Sequence, residues 1–321
     1  MSSKATVLVT RQLPKDVEGR LLRDYDARLN SADKVYETDE LLELAKGAQA
    51  IIPCHTEDLS SDVIRRLPES VKAICCFSVG HDHVDLEAAK SRGIIVTNTP
   101  DVLSKATAEV AMLLMLGAAR RGYEAQQQIR TDTWADWSAA HQLGIQVSSK
   151  RLGILGMGRV GLFMAQFARG LGMEVHYFTR RRLPADIEQG AIYHDSVEEL
   201  FQYSDILSIH CPSTPETHHL LNAARIELLP DNAIVVNTSR GAIVDDNALI
   251  EALKCGKLFS AGLDVFNNEP NIDARYRILS NTFLLPHVGS ATIETRDAMG
   301  FRALDNLDRI IVNLQPKDRL V

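Results

Sequence analysis

Three residues that each follow a short apolar run, Arg240, Glu269 and His287, carry the groups that reaction at a carbonyl beside a carboxylate would need. A guanidinium can hold a carboxylate through two parallel hydrogen bonds. An imidazole next to a carboxylate keeps its proton and can pass it to a carbonyl oxygen. The segments read Val-Asn-Thr-Ser-Arg-Gly at 236–241, Ala-Gly-Leu-Asp-Val-Phe-Asn-Asn-Glu-Pro at 261–270 and Leu-Leu-Pro-His-Val-Gly-Ser at 284–290. Singly, each residue has a plainer explanation: a surface ion pair for Arg240, a turn for Glu269 before Pro270, a satisfied loop histidine for His287. In combination they point to chemistry. Glu269 and His287 follow strands of one sheet, so they can pair at its edge, where Glu269 would stabilise the imidazolium of His287. Arg240 lies in a short polar loop at a strand's carboxyl end, and Asp245 opens a helix that leads the chain away. The implied reaction is reduction of a 2-keto acid, with Arg240 on the carboxylate, His287 protonating the developing alkoxide and Glu269 holding its ring.

A hydride source is encoded upstream. In Gly156-Met157-Gly158-Arg159-Val160-Gly161 the first glycine permits a tight turn, the second lets a phosphate approach the backbone, and the third lets helix and strand pack closely. An apolar run precedes the motif and a helical pattern, Val160 to Leu171, follows it, which is the context a dinucleotide site requires. An NAD site usually places an acidic residue at the end of the second strand. That place here reads Tyr177-Phe178-Thr179-Arg180-Arg181-Arg182, a hydroxyl and three guanidiniums with no carboxylate. Thr179, Arg180 and Arg181 therefore suit a 2'-phosphate, so NADP(H) is the expected cofactor and NAD(H) the alternative. A solvated surface run is the plain reading of the same arginines.

The elements that must position these residues are legible as short apolar runs alternating with helical patterns, the signature of parallel sheets covered by helices. A first series has strands expected at 6–10, 27–30, 50–53, 71–77 and 94–97 and resembles a flavodoxin-like unit. Residues 104–121, rich in Ala, Leu and Met, predict a long helix apolar on most sides and therefore buried. A second series, with strands at 152–155, 175–178, 206–210, 233–237, 261–264 and 283–285, follows the Rossmann pattern. A closing helix over 292–313 is long enough to return to the first unit. The expectation is an α/β protein with a Rossmann dinucleotide-binding domain (101–289) inserted into a discontinuous, flavodoxin-like substrate-binding domain (1–100 and 290–321).

Composition narrows the classes further. The chain of 321 residues is 45% hydrophobic, enough for two cores, with a net charge of -7. A general nucleic-acid binder would need a basic face, so none is expected. No apolar run approaches the roughly 20 residues of a membrane span, and the start lacks a signal-peptide core, so a soluble, cytoplasmic protein is expected. The five cysteines, Cys54, Cys75, Cys76, Cys211 and Cys255, lack metal-ligand spacing and an even count. They read as reduced, mostly buried thiols, with neither a disulfide framework nor a metal site.

These segments, together with Ser-Val-Gly-His-Asp-His-Val-Asp at 78–85 and Asn-Thr-Pro-Asp-Val-Leu at 98–103, resemble the D-isomer-specific 2-hydroxyacid dehydrogenases, especially the glyoxylate/hydroxypyruvate and 2-ketogluconate reductase branch. The resemblance spans nearly the whole chain, with the signature segments in order. It implies that Arg240, Glu269 and His287 are the catalytic residues, that the backbone amides of Val79 and Gly80 join Arg240 in binding the acid, and that Asp264 meets the nicotinamide amide. It also implies that Cys211, Pro212, Thr217, Thr238 and Gly289 line the cofactor, that the product is the D isomer, and that the protein is a homodimer, through the 104–121 helix and an arm bearing Trp134 and Trp137. Glu269 speaks against a formate dehydrogenase, which carries glutamine there, and no additional regulatory sequence of the phosphoglycerate dehydrogenase kind follows the final helix. The rival of another class is a dinucleotide-sensing transcriptional corepressor of the C-terminal-binding-protein type, against which stand the short termini and the lack of an arginine-rich tail. His55, His81 and His83 stand where relatives vary near the substrate and are read as tuning its size.

Overall fold

The computed structural model describes residues 4–321. The chain divides into two compact units, one formed by the chain up to Leu103 together with Ser290–Val321, the other by Ser104–Gly289. The first contains β1 (Thr6–Val9), α1 (Lys15–Asp24), β2 (Asp26–Arg28), α2 (Thr38–Leu44), β3 (Ala50–Ile52), α3 (Ser61–Arg66), β4 (Ala73–Cys75), α4 (Leu86–Ser91) and β5 (Ile95–Thr97). Its strands are all parallel in the order β2-β1-β3-β4-β5, the flavodoxin-like order.

The second unit runs from α5 (Ser104–Ala119) and α6 (Gly122–Arg130) through β6 (Arg151–Leu155), α7 (Arg159–Gly170), β7 (Glu174–Phe178), α8 (Ala185–Glu188), β8 (Ile192–Tyr193), α9 (Val197–Gln202), β9 (Ile206–Ile209), α10 (Ala223–Ile226), β10 (Ala233–Asn237), α11 (Asp246–Cys255), β11 (Leu258–Leu263) and β12 (Thr282–Leu284). Its seven strands are parallel in the order β12-β11-β10-β9-β6-β7-β8, so the order reverses between β6 and β9 as in a Rossmann sheet. The α/β class and the Rossmann unit are as the patterning indicates. The chain then returns as α12 (Ile293–Ile311), which packs on α1, β4 and β5 of the first unit.

Central strands are covered on both faces, which is why they read as continuous apolar runs rather than alternating ones. Val7 to Val9, Ile51, Ile74 and the whole of β10 are buried. Several paired segments are shorter than the apolar runs that announce them. The run at 71–77 contributes only Ala73–Cys75 to the ladder, whereas β11 begins at Leu258, three residues before the expected 261. The edge strand β8 has two residues and no periodic signal.

The helix expected over 104–121 ends at Ala119, because Arg121 turns left-handed (φ 52°) and α6 starts at Gly122. It is also not buried all round. Ala108, Ala111, Leu114 and Met115 are fully buried, but Leu113 and Leu116 face outward at 49% and 38% exposure. Trp134 and Trp137 are likewise exposed. Cys75, Cys76 and Cys211 are buried and Cys54 half-buried, but Cys255 is exposed; none forms a disulfide. Among the described residues no helix is long and apolar enough to cross a membrane.

The contact between α5 and β11 is backbone-close: a Cβ on Gly262 would stand 2.7 Å from the Leu114 carbonyl oxygen. Because Leu114 sits in an unbroken helix, it cannot yield without cost. Gly262→Ala is expected to lower stability by about 1–3 kcal/mol, read as an earlier urea midpoint with an unchanged slope; a midpoint equal to the parent's would contradict this packing.

Candidate active site

The glycine turn between β6 and α7 has the shape of a phosphate cradle. Gly156 adopts φ 95°, and a Cβ there would meet the Cys211 backbone nitrogen at 2.6 Å. A Cβ on Gly161 would stand 2.5 Å from the Gly156 carbonyl oxygen, whereas one on Gly158 would meet nothing within 4 Å. The first and third glycines are thus required by the protein's own packing, and the second leaves open space. Gly158 caps α7 without a side-chain bond, and the first turn, with Arg159 and Val160, carries no acidic residue. Its amides and the positive end of the helix dipole fit an anion such as a dinucleotide pyrophosphate.

The neighbouring loop departs from the sequence reading. Gly156 N–H donates to the Phe178 carbonyl oxygen (3.0 Å), placing the cradle beside the end of β7. Of the three arginines there, Arg182 is turned onto Glu188 (Nε to Oε1 2.8 Å), and the Thr179 hydroxyl donates to the Arg181 carbonyl oxygen (2.6 Å). Arg180 and Arg181 remain exposed at the loop. A carboxylate is therefore present at a strand end where the local sequence has none. The short helix α8 folds Glu188 back, and it is buried, accepting also from the Tyr177 hydroxyl (2.5 Å). The Arg182 pair first, and the Tyr177 hydroxyl second, hold its carboxyl below the usual range. No local signal in the sequence identifies such a buried acid.

At the carboxyl edge of the sheet, His287 Nδ1 and Glu269 Oε2 are 2.7 Å apart. Both side chains are partly exposed, at 29% and 26%. The second carboxylate oxygen of Glu269 accepts from the Phe266 N–H (2.7 Å), so the carboxylate is held from two sides. His287 takes φ 54°, rare for a residue with a Cβ and costing of order 1–3 kcal/mol unless its surroundings enforce it. Asp264 enforces it. Its carbonyl oxygen accepts from the His287 N–H (2.8 Å), and its two carboxylate oxygens accept from the N–H groups of Val288 and Gly289 (2.8 Å each). Burial raises the Asp264 pKa, against the lowering by those two amides and the charge of His287. Gly289 packs against this carboxylate and Thr107.

Arg240 follows β10 on the same edge. The Asn237 side chain accepts from the Ser239 N–H (2.9 Å) and donates to the Arg240 carbonyl oxygen (2.9 Å), bracing the turn from within. The Ser239 hydroxyl donates to the Cys211 carbonyl oxygen, and Arg240 Nη1 donates to the Ser239 carbonyl oxygen (2.8 Å). Gly241 is obligatory, since a Cβ would lie 2.0 Å from the Phe266 carbonyl carbon, on the backbone of the loop that carries Glu269. The structure thus brings Glu269 and His287 into contact and fixes the Arg240 turn against the Glu269 loop.

Residues implied as cofactor lining occupy loops at this edge. Thr238 Oγ1 lies 3.3 Å from His210 Nδ1, and His210 Nε2 lies 2.8 Å from Ser208 Oγ. Burial lowers the His210 pKa to about 4, so it bridges two strands as a neutral ring and is no proton donor near neutrality. Thr217 accepts from the Thr214 N–H and donates to the Pro212 carbonyl oxygen, both at 2.8 Å. Burial pushes the Cys211 thiol up to about 11, making it an unreactive wall. Val79 and Gly80 belong to the first unit, where the Ser78 hydroxyl and Asn98 side-chain amide donate to the carbonyl oxygens of Gly80 and Val79 (2.6 and 2.9 Å). Sequence reasoning passed over Glu188, His210, Asn237, Asp246 and Asn267; of these, only Asn237 had a signal, a polar residue closing a fully apolar strand.

A Rossmann sheet with an anion cradle, and a histidine–carboxylate pair and an arginine on its carboxyl edge, defines an oxidoreductase using a nicotinamide dinucleotide. Comparison with known proteins specifies the class. The family described as "D-isomer specific 2-hydroxyacid dehydrogenase, NAD binding domain" matches residues 112–289, and the chain belongs to this family. It is 42% identical over 310 residues to the glycerate dehydrogenase of Hyphomicrobium methylovorum, covering 96% of each chain. It is 40% identical over 309 residues to the glyoxylate reductase of Thermococcus litoralis, covering 95% of this chain and 93% of the relative. A solved structure of an NADPH-dependent glyoxylate/hydroxypyruvate reductase from Sinorhizobium meliloti, in complex with NADP and malonate, is similar with a TM-score of 0.88 and 30% identity over 99% of this chain and 97% of that one.

The geometry at Asp264 generates a sharp expectation. Asp264→Asn exchanges one acceptor for an N–H donor facing a backbone N–H, so it should lower stability by about 1–3 kcal/mol. Hydrogen exchange should quicken at the amides of Val288 and Gly289 before it does in β10. Unchanged protection at both amides would show that the carboxylate does not hold this loop.

Proposed function

We propose that this enzyme reduces small 2-keto acids, glyoxylate and hydroxypyruvate foremost and 2-ketogluconate as a larger candidate, to D-2-hydroxy acids, with NADPH preferred over NADH. The observation that carries the reading is the 2.7 Å contact of His287 with Glu269 on the sheet edge that also bears Arg240. The names of the relatives support the substrate class, since oxidising glycerate at its 2-hydroxyl is the reverse of reducing hydroxypyruvate. The relatives reported above are all enzymes, and none of their names supports the corepressor reading.

In this proposal Arg240 binds the substrate carboxylate and turns the 2-carbonyl toward His287. The dinucleotide, when bound, supplies the hydride. His287 protonates the oxygen that becomes the hydroxyl, while Glu269 fixes its ring and balances its charge. Asp264 sets the direction of the imidazole through the His287 loop. Gly156, Gly158, Arg159, Val160 and Gly161 form the pyrophosphate cradle, and Cys211, Pro212, Thr217, Thr238 and Gly289 line the rest of the cofactor site. The preference for NADPH rests on Arg180 and Arg181, which are exposed at the end of β7 beside Thr179, while Glu188 is buried and paired with Arg182. A homodimer is supported by the exposure of Leu113 and Leu116 on α5 and of Trp134 and Trp137 in the segment after α6. Cytoplasmic location is supported by five cysteines without a disulfide.

Reduced-nicotinamide absorbance, followed with each keto acid and each dinucleotide, tests the assignment directly. Rapid loss with glyoxylate or hydroxypyruvate is expected, and no turnover with any of the acids would refute it. His287→Ala should lower reduction about 10²- to 10⁴-fold while dinucleotide affinity is retained. Reduction needs the imidazolium, so its rate should fall as pH rises; oxidation needs the neutral ring and should rise. A reduction rate flat across roughly pH 6 to 10, with chemistry limiting, would remove His287 from the role. Replacing Arg180 and Arg181 together by Ala should weaken NADPH about tenfold or more and leave NADH unchanged; equal weakening of both would overturn the cofactor preference alone.

A further inference from the structure

Asp246, the first residue of α11, lies outside every motif that marks the site, yet its carboxylate receives a hydrogen bond from two of the segments that build it. Oδ2 accepts from Asn267 Nδ2 (2.9 Å), in the loop that carries Glu269. Oδ1 accepts from the Tyr276 hydroxyl (2.7 Å), in the segment that leads through β12 to His287. Asp246 itself closes the stretch that begins with Arg240. The same junction is reinforced by Asn267 Nδ2 on the Val244 carbonyl oxygen (3.3 Å) and by the edge contact of Phe266 with Tyr276 (ring centroids 5.8 Å apart).

We propose that Asp246 is a positioning residue that staples the Arg240, Glu269 and His287 segments together and thereby holds Glu269 against His287; this rests on the catalytic roles proposed above. The physical argument concerns the loop 265–270. Its last polar residue, Glu269, must present one oxygen to Phe266 N–H and the other to His287. That geometry survives only while Phe266 and Asn267 stay seated on Gly241, whose missing Cβ allows the approach. Gly241 permits the contact but supplies no attraction. Asn267 supplies it, and Asp246 is the charged acceptor that makes its bond directional. Tyr276 is 1% exposed, so its hydroxyl has no water to replace the carboxylate. The carboxylate is thereby fixed from its buried side and can orient the Asn267 amide on its other side.

The test compares Asp246→Ala, Asp246→Asn and Asn267→Ala with Glu269→Gln and His287→Ala. Asp246→Ala removes both bonds, and Asn267→Ala removes one without disturbing the buried Tyr276, so folding is not at stake there. Asp246→Asn can keep its amide oxygen on Asn267 Nδ2 while its amide nitrogen donates to the Tyr276 hydroxyl oxygen, and is the conservative rescue. The expectation is a kcat for reduction lower by roughly ten- to hundredfold in Asp246→Ala and Asn267→Ala, with NADPH affinity within about twofold of the parent. Asp246→Asn should recover most of the lost kcat. Parental kcat in folded Asp246→Ala and Asn267→Ala, or losses of kcat and NADPH affinity in parallel, would overturn the role of Asp246 while Glu269→Gln and His287→Ala remain impaired. If those two reference variants are themselves fully active, the catalytic reading fails and this inference fails with it.

Discussion

The side chain on which the rest of the site depends is the buried carboxylate of Asp264, at the end of β11. A carboxylate withdrawn from water is unfavourable unless donors replace the solvent, and here the N–H groups of Val288 and Gly289 do so. The same two bonds, with the His287 N–H on the Asp264 carbonyl oxygen, stabilise a left-handed histidine that no local preference would select. Desolvation and backbone strain are thus settled by one set of contacts. The result is an imidazole whose direction is fixed by the sheet rather than by its own loop.

Two histidines stand near this edge, with different partners. His210 is enclosed between Ser208 and Thr238, with its pKa lowered to about 4, and serves as a neutral bridge between β9 and β10. His287 is partly exposed and faces a carboxylate held by a backbone amide. The same residue type is a neutral bridge in one place and the partly exposed partner of a carboxylate in the other. Arg240 is treated similarly: its turn is braced by Asn237 from below and by the Phe266–Asn267 backbone from the side. Rigid support of this kind matters because orientation, more than proximity alone, determines how well a carbonyl is presented to donor groups.

The dinucleotide half of the site shows how a charge read from the sequence can change meaning in the fold. Three consecutive arginines suggest three equivalent anion ligands, but Arg182 neutralises Glu188, which also takes the Tyr177 hydroxyl. The Arg180 and Arg181 guanidiniums stay exposed on the loop, and Arg182 is exposed but paired. A net charge of -7 for the whole chain is no obstacle, since a local pair of cations beside a helix amino terminus controls the field a phosphate would meet.

The sequence alone determined the α/β class, the two series of strands and the identity of the glycine turn, because apolar periodicity and obligatory glycines are local consequences of burial and backbone sterics. It also singled out Arg240, Glu269 and His287, since polar residues that follow buried parallel strands collect at one sheet edge whatever the detailed packing. It did not disclose Glu188, His210, Asp246 or Asn267, whose partners lie from two to 30 residues away in the chain. Nor did it disclose that α5 leaves Leu113 and Leu116 uncovered or that β8 exists. Most of these follow from which surfaces the fold brings together, and a hydrogen bond between distant segments, or a helix face left unpaired, has no periodic trace in the chain. Tertiary structure decided which carboxylates are buried, which cations they neutralise and in which direction His287 points.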